Sequence, residues 1–188
     1  DRYAFLSAKD KAWNEIIDEI VEAEKGCGAP FYLFHGAMIA HNIKQLRKCL
    51  GGVVSIAYAM KANPWLASAA AETADYIEVC TDGELELCRT YGIPGEKIVL
   101  DGVFRENETV RKALSMGVKR FCIDSSAQAE QLADLTCNEE KLEVLMRLSS
   151  GNRFGMDENE AVQFIDVLRD SAGVRIAGIH YYPGTQRS

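Results

Sequence analysis

The stretch VSIAYAMKANP, residues 54–64, decides how the rest of the chain is interpreted. Its first six residues are mostly small or β-branched and apolar, which favours a buried β-strand. Pro64 lacks a backbone N–H and has a fixed φ, so the extended segment ends before it. Lys61 therefore follows directly after a predicted buried strand.

Five more short apolar runs follow this strand, at intervals of roughly 20–30 residues. Amphipathic segments separate the runs. An alternation of this kind indicates an α/β protein with a parallel sheet covered by helices. We predict strands at residues 54–59, 76–79, 98–100, 120–123, 144–148 and 175–180, and helices at about 64–73, 83–91, 107–116, 127–135 and 159–169.

Two parallel architectures fit this spacing, a doubly wound sheet and a (β/α)8 barrel, and the spacing does not distinguish them. A barrel needs eight strands and typically ~250 residues, so under that interpretation these 188 residues hold an incomplete barrel. Ahead of the array we predict a polar helix at 9–25, a strand at 30–34 and a helix at 37–50. The chain is thus divided into an N-terminal helical extension, 1–29, and a partial barrel, 30–188.

Composition excludes several classes of function. The net charge is -7 and the charges are mixed, without the basic stripe that nucleic-acid binding requires. No signal segment or bilayer-long apolar run is present, so we expect a cytoplasmic protein without a membrane partner. The six cysteines form no CxxC pair and the three histidines are far apart, which predicts reduced thiols and no metal site.

Functional side chains of parallel α/β proteins cluster at the C-terminal ends of strands. Among them Lys61 stands out, because desolvation at a strand end would lower its pKa and free the amine for Schiff-base chemistry. The alternative is a solvated lysine on an ordinary loop. The other polar residues at these ends are Asn63, Glu78, Glu84, Asp101, Asp124, Arg147, His180, Tyr182 and Thr185.

Five segments resemble, in the same order, the ornithine/diaminopimelate/arginine decarboxylase group of fold-type III pyridoxal-phosphate (PLP) enzymes. YAMKAN at 58–63 resembles the group's Tyr-Ala-Val-Lys-Ala-Asn signature, whose lysine carries the cofactor. EVCTDGEL at 78–85 is similar to its acidic-x-x-Ser-x-Gly-Glu-Leu stretch. PFYLF at 30–34, RFGM at 153–156 and GIHYYPGTQ at 178–186 resemble its first strand, its Lys-Phe-Gly element and its Gly-x-His-x-His-x-Gly-Ser-Gln loop. The similarity runs from about residue 29 to the end.

The resemblance implies an alanine-racemase-like PLP barrel followed by a β-domain, assembled as a homodimer, that decarboxylates an amino acid. PLP serves as an electron sink for the pair left by the departing carboxylate. Lys61 carries over as the covalent attachment point, with Glu84 as a second catalytic residue. Cofactor contacts carry over to Glu78, Arg147, His180, Tyr182 and Thr185. The alternative for Glu84 is a carboxylate that offsets a helix dipole, and for Arg147 a structural ion pair.

Several departures from the group's pattern bear on the substrate. Tyr182 stands where a histidine usually stacks on the cofactor ring, and Thr185 where a serine usually bonds the phosphate. The loop at 147–153 is shorter than in diaminopimelate decarboxylases. Together these features look like biosynthetic-cluster members that act on carrier-protein-bound glutamyl or siderophore-precursor substrates. Arg153 matches a basic residue that pairs with the partner subunit, the alternative being a solvated arginine.

Three other functions are compatible with parts of this pattern. A racemase or epimerase would use the same barrel and lysine but needs a second base, and Pro64-Trp65 does not match the lysine neighbourhood of alanine racemases. A non-catalytic homologue that binds a regulator would not need Lys61 and Glu84. A dinucleotide-binding protein is disfavoured because Gly26-Cys27-Gly28 precedes a predicted strand instead of following one.

Overall fold

The computed structural model describes residues 34–103, 105–136, 141–151, 154–168 and 173–184, together with 17–18, 20–22, 24–26 and 32. The chain divides into two compact units, 1–35 and 36–188. The division into an extension, 1–29, and a barrel portion, 30–188, stays a prediction. In the first unit, the described part of the predicted 9–25 helix is helical. The predicted 30–34 strand lies mostly outside the described residues, and neither Tyr32 nor Phe34 is in a strand.

The second unit alternates strands and helices, as predicted. A short 3-10 turn at Met60–Ala62 follows the first strand, and a second one at Pro64–Leu66 replaces the first part of the helix predicted at 64–73. The strands are β1 (Ala57–Ala59), β2 (Tyr76–Val79), β3 (Ile98–Leu100), β4 (Arg120–Ile123), β5 (Leu142–Leu148) and β6 (Val174–Tyr181). The helices are α1 (Gly36–Cys49), α2 (Ala67–Ala71), α3 (Asp82–Thr90), α4 (Asn107–Ser115), α5 (Ser126–Leu135) and α6 (Glu158–Leu168).

The order of the strands distinguishes the two architectures that the spacing left open. All five neighbouring pairs are parallel, and the spatial order β1-β2-β3-β4-β5-β6 is the order of the chain. A doubly wound sheet reverses its strand order at a switch point, and this sheet has no reversal among its six strands. The fold is therefore part of a (β/α) barrel, which confirms the expected fold class.

The core lies between the helices and one face of the sheet. In β5, Leu142, Val144 and Met146 are buried in the same apolar cluster as Phe164 of α6 and Leu132 of α5. The alternate residues of β5 face the other side of the sheet, because successive side chains of a strand point in opposite directions. Two of those residues, Glu143 and Leu145, line an interior cavity of about 470 Å³ together with side chains from all the other strands.

A β-bulge in β6 changes which side chains enter this interior. The register pairs Val144 with Ile176 but Leu145 with Gly178, so Ala177 is an extra residue. An extra residue inverts the alternation of a strand beyond it. His180 consequently lies opposite Arg147 and lines the interior cavity.

Two further observations concern the classes of function considered above. None of the helices in the described part of the chain has the length and apolar character needed to span a membrane. The four cysteines that the structure describes, Cys49, Cys80, Cys88 and Cys122, are free thiols.

Candidate active site

The turn that carries Lys61 is built by its neighbours in the sequence. The Tyr58 hydroxyl donates a hydrogen bond of 2.8 Å to the carbonyl oxygen of Asn63, which closes the turn around Lys61. The Asn63 side chain in turn accepts the backbone N–H of Trp65 at 3.1 Å. Met60 is fully buried, which anchors the turn in the core. The signature residues around Lys61 thus hold it at the mouth of the barrel, the edge where the C-terminal ends of the strands meet.

Lys61 and Glu78 meet at this mouth. The Lys61 Nζ atom donates a hydrogen bond of 3.1 Å to Glu78 Oε1. The contact follows from the parallel register, which pairs Ala59 at the end of β1 with Glu78 in β2. The Tyr182 ring also lies at the mouth, with its centroid 6.0 Å from Lys61 Nζ. Three of the predicted site residues are therefore brought together.

The prediction of a lowered pKa for Lys61 is wrong. Burial does act to lower the pKa, but the Glu78 carboxylate, through its charge and its hydrogen bond, raises the pKa above its ordinary value, with smaller contributions from Cys80 and Asp101. The side chain is 58% exposed, so desolvation is limited. In this arrangement the amine holds its proton, and Glu78 is the nearest acceptor for it.

Glu84 closes the start of α3. Its Oε2 accepts the backbone N–H of Cys80 at 2.6 Å and that of Thr81 at 3.2 Å, while the Thr81 hydroxyl accepts the Glu84 N–H. This reciprocal pair is a capping box. These hydrogen bonds give Glu84 a structural role at the start of the helix, the kind of role that was its alternative, and its catalytic role stays a prediction.

Arg147, near the end of β5, and Asp124, directly after β4, form an ion pair. Arg147 Nε lies 3.5 Å from Asp124 Oδ1, and both side chains are mostly buried. Burial raises the pKa of Asp124, and the Arg147 charge only partly opposes that effect. The Arg147 guanidinium also lies 5.3 Å from the ring centroid of Phe154. An ion pair was the structural alternative for Arg147, and the structure shows that ion pair. Arg147 also lies opposite His180 in the strand register, near the mouth of the barrel.

Two buried polar atoms at the mouth lack hydrogen-bond partners. His180 Nδ1 has no hydrogen-bond partner among the residues that the structure describes, and Asp124 Oδ1 has only the ion-pair contact with Arg147 Nε. Buried polar atoms are rarely left unsatisfied, because the loss of solvation is costly. These two atoms therefore indicate a place where a further polar group binds.

Two predicted residues lie outside the described part of the chain, Thr185 and Arg153. One residue that sequence reasoning missed is Arg105, which is 7% exposed. Its guanidinium donates to the carbonyl oxygens of Leu100 and Cys122, at 3.2 and 2.7 Å, and so joins the ends of β3 and β4. Burial lowers the pKa of Arg105. Its sequence context is a loop, where a solvated charge is the ordinary expectation.

Comparison with known families gives one match over most of the chain. The sequence pattern of the family "Alanine racemase, N-terminal domain" matches residues 35–188. Two curated relatives are each 27% identical to the chain. They are the diaminopimelate decarboxylase of Zymomonas mobilis, with 85% of this chain covered, and the L-glutamyl-[BtrI acyl-carrier protein] decarboxylase of Niallia circulans, with 89% covered. This chain spans 43% of the length of either relative.

Solved structures of decarboxylases are also similar to this chain. The lysine/ornithine decarboxylase of Vibrio vulnificus, complexed with cadaverine, has a TM-score of 0.77 at 26% identity, over 97% of this chain and 46% of that one. SrLDC in complex with PLP and cadaverine has a TM-score of 0.78 at 25% identity, over 90% of this chain and 44% of that one. The likeness extends over the whole sheet described above.

Proposed function

The chain belongs to the alanine racemase N-terminal domain family, and from this premise we propose that the full-length protein is a PLP-dependent decarboxylase of an amino acid or an amino-acid-derived substrate. The observation that carries the proposal is the Lys61–Glu78 pair at the ends of two adjacent barrel strands. A primary amine held there is available for covalent attachment of an aldehyde cofactor. The names of the curated relatives favour decarboxylation over racemisation.

The residues at the mouth fit PLP in four respects. Lys61 offers an amine on a fixed turn, and the Tyr182 ring lies on the same side of the mouth. The mostly buried Arg147 offers a cation to an anionic group. His180 and Asp124 each present a buried polar atom that has no hydrogen-bond partner among the described residues. An amine, an aromatic face, a cation and unsatisfied polar atoms suit a planar, charged and polar cofactor.

We assign the following roles to these residues. Lys61 binds PLP covalently, and Glu78 accepts the proton that Nζ must release before the amine can react. Tyr182 packs against the cofactor ring, since aromatic rings prefer offset-stacked or edge contacts. Arg147 and His180 bind and orient polar groups, and Thr185 is proposed for the phosphate. The chemistry that PLP supplies when bound is an electron sink for the pair left when a substrate loses its carboxylate.

For the substrate we propose a carrier-protein-bound amino acid or a siderophore precursor. The support is the resemblance of the segment from Tyr182 to Gln186 to such decarboxylases, and the similarity to the carrier-protein relative from Niallia circulans. We also propose a homodimer with Arg153 at its interface, and a cytoplasmic location. The free thiols that the structure describes support a reducing compartment.

The proposed activity is tested on the full-length protein supplied with PLP. Free amino acids and carrier-loaded aminoacyl groups are offered in turn, and released CO2 is measured together with the chirality of the recovered substrate. We expect CO2 release that requires Lys61 and is absent from Lys61→Ala. Inversion at the α-carbon without CO2 would replace decarboxylase with racemase. Absence of PLP binding would leave the non-catalytic homologue as the better assignment.

A further inference from the structure

We infer that Asp101, Cys122 and His180 form a binding site for a thiophilic divalent cation such as Zn²⁺ in the interior of the barrel. One donor atom from each side chain lies within 4.8 Å of a donor atom from each of the others. Asp101 and Cys122 are 5% and 3% exposed. A cation bound there would be held by one side chain that follows β3 and by one side chain each from β4 and β6.

The fold, and not the spacing in sequence, assembles this set. Asp101 directly follows β3 and is fixed by its backbone hydrogen bond to the carbonyl oxygen of Val79. Cys122 lies in β4, and His180 lies in β6 beyond the bulge at Ala177. Without that extra residue, the alternation of β6 would turn His180 to the opposite face of the sheet. The bulge therefore completes the cluster.

The donors are of the types that Zn²⁺ binds. Thiolate, imidazole and carboxylate are its usual ligands, and a tetrahedral site places them about 3.3–3.7 Å from one another, given metal–ligand bonds of about 2.0–2.3 Å. Separations within 4.8 Å need only small side-chain shifts to reach that geometry. A second cluster, of Glu78, Cys80 and Asp101, brings Cys80 within the same limit of Asp101. Cys80 is thus the candidate for the fourth ligand.

An independent observation points to a ligand at the same place. The buried Nδ1 atom of His180 has no hydrogen-bond partner among the described residues, and a metal ion would satisfy it. Burial raises the pKa of the Cys122 thiol, so the free thiol keeps its proton. Because only the thiolate is a ligand, the cation displaces that proton when it binds.

The position of the site gives it a consequence for cofactor binding, and this consequence rests on the proposed function. His180 belongs both to the cation cluster and to the set proposed to bind PLP. A cation that holds His180 makes it unavailable to the cofactor, so the two ligands compete. Zn²⁺ would then delay loading of the cofactor-free protein.

The cation site is tested with Co²⁺ as a spectroscopic probe on full-length protein stripped of cofactor and metal. Wild type should show, at one equivalent, a thiolate-to-cobalt charge-transfer band and the visible absorption of tetrahedral Co²⁺. Cys122→Ser should abolish the charge-transfer band unless Cys80 supplies part of it, so the double change with Cys80→Ser is measured too. Asp101→Asn should lower the Co²⁺ affinity by about 10–100-fold or more. Replacing a residue that only hydrogen-bonds to a metal ligand typically costs that much, and Asp101 is proposed as a ligand itself.

Cys88→Ser is the matched control, because Cys88 is equally buried but lies in α3 against Met60, outside the cluster. It should leave the cobalt spectrum unchanged. A thermal melt of each variant identifies any that fail to fold. If the cysteine variants do not fold, the Co²⁺ affinity of Asp101→Asn alone decides whether the cation site exists. No band in wild type, a band that survives loss of both cluster cysteines, or an unchanged affinity in Asp101→Asn would overturn the proposal.

The competition is measured separately, as the rate of PLP uptake with and without one equivalent of Zn²⁺. We expect slower uptake in wild type and no effect of Zn²⁺ in Asp101→Asn. A cobalt band together with unaffected uptake would refute the competition and keep the cation site. No PLP uptake even without Zn²⁺ would count against the proposed function and leave the cobalt result standing.

Discussion

Lys61 Nζ donates a hydrogen bond of 3.1 Å to Oε1 of Glu78, a residue 17 positions further along the chain. The contact joins the ends of two parallel strands that are neighbours in the sheet. It raises the pKa of the lysine although burial alone would lower it. The amine is therefore protonated and lies beside a proton acceptor, Glu78. The first two predictions follow from this arrangement.

Replacement of Lys61 should abolish covalent attachment of PLP. Lys61→Ala removes the amine from the turn that Tyr58 and Asn63 close. Borohydride reduction of the wild-type protein followed by peptide mapping should place the pyridoxyl group on Lys61. The exposed Lys48 serves as a control, and Lys48→Ala should label like wild type. A label on another lysine would end the assignment.

Glu78→Gln should shift the pH dependence of cofactor attachment to lower pH. Glu78 raises the pKa of Lys61, so its removal lowers that pKa and increases the fraction of neutral amine at a given pH. The rate of covalent attachment, trapped with borohydride over a series of pH values, measures the shift. Glu84→Gln, which keeps a side chain able to cap α3, should leave the profile in place. An unshifted profile in Glu78→Gln would contradict the proton role.

Variants at the start of α3 separate the two roles of Glu84. Glutamine also completes a capping box, so Glu84→Gln should keep the thermal stability of wild type. Thr81→Ala, which removes the hydroxyl that accepts the Glu84 N–H, should lose about 0.5–2 kcal/mol of unfolding free energy. Loss of activity in a stable Glu84→Gln would demonstrate the catalytic role, and full activity would leave Glu84 as a helix cap.

Tyr182→Ala should weaken PLP affinity by about 3–10-fold. Aromatic stacking contributes about 0.5–1.5 kcal/mol beyond the burial of area, and about 1.4 kcal/mol corresponds to a factor of ten. Tyr182→Phe should keep the affinity, because the ring and not the hydroxyl makes the contact. Tyr181, the neighbouring exposed tyrosine at the end of β6, is the matched control. Equal losses in Tyr181→Ala and Tyr182→Ala would argue against stacking.

Arg153→Ala should shift a homodimer towards monomers and suppress activity at the same time. We propose from the resemblance of residues 153–156 that Arg153 pairs with the partner subunit, and breaking one side of a buried ion pair typically costs about 3–5 kcal/mol. Sedimentation of the full-length variant and wild type at micromolar concentration measures the shift. Arg153→Lys keeps the charge and should retain part of the dimer. An unchanged, fully active dimer in Arg153→Ala would make Arg153 an ordinary surface residue.

The sequence by itself determined the strands and most of the helices of the barrel, and it placed Lys61 directly after the first strand. Apolar runs such as those at 98–100 and 120–123 fold into strands with the predicted bounds, because buried strands in a parallel sheet need apolar side chains on both faces. The end of the first strand ahead of Lys61 was predicted from Pro64, because the ring of a proline acts on the backbone beside it. The hydrogen bond from Tyr58 to Asn63 that closes the turn was found only in the structure.

Only the tertiary structure decided the relations between distant strands. The spacing left a doubly wound sheet and a barrel equally compatible, and the strand order excluded the former. The pKa of Lys61 depends on Glu78, which reaches it only across a strand pair. His180 enters the interior because of one extra residue in β6, and the register of a bulge is set by the neighbouring strand. Charge, register and donor clusters depend on distances between elements, and such distances come into existence only when the sheet assembles.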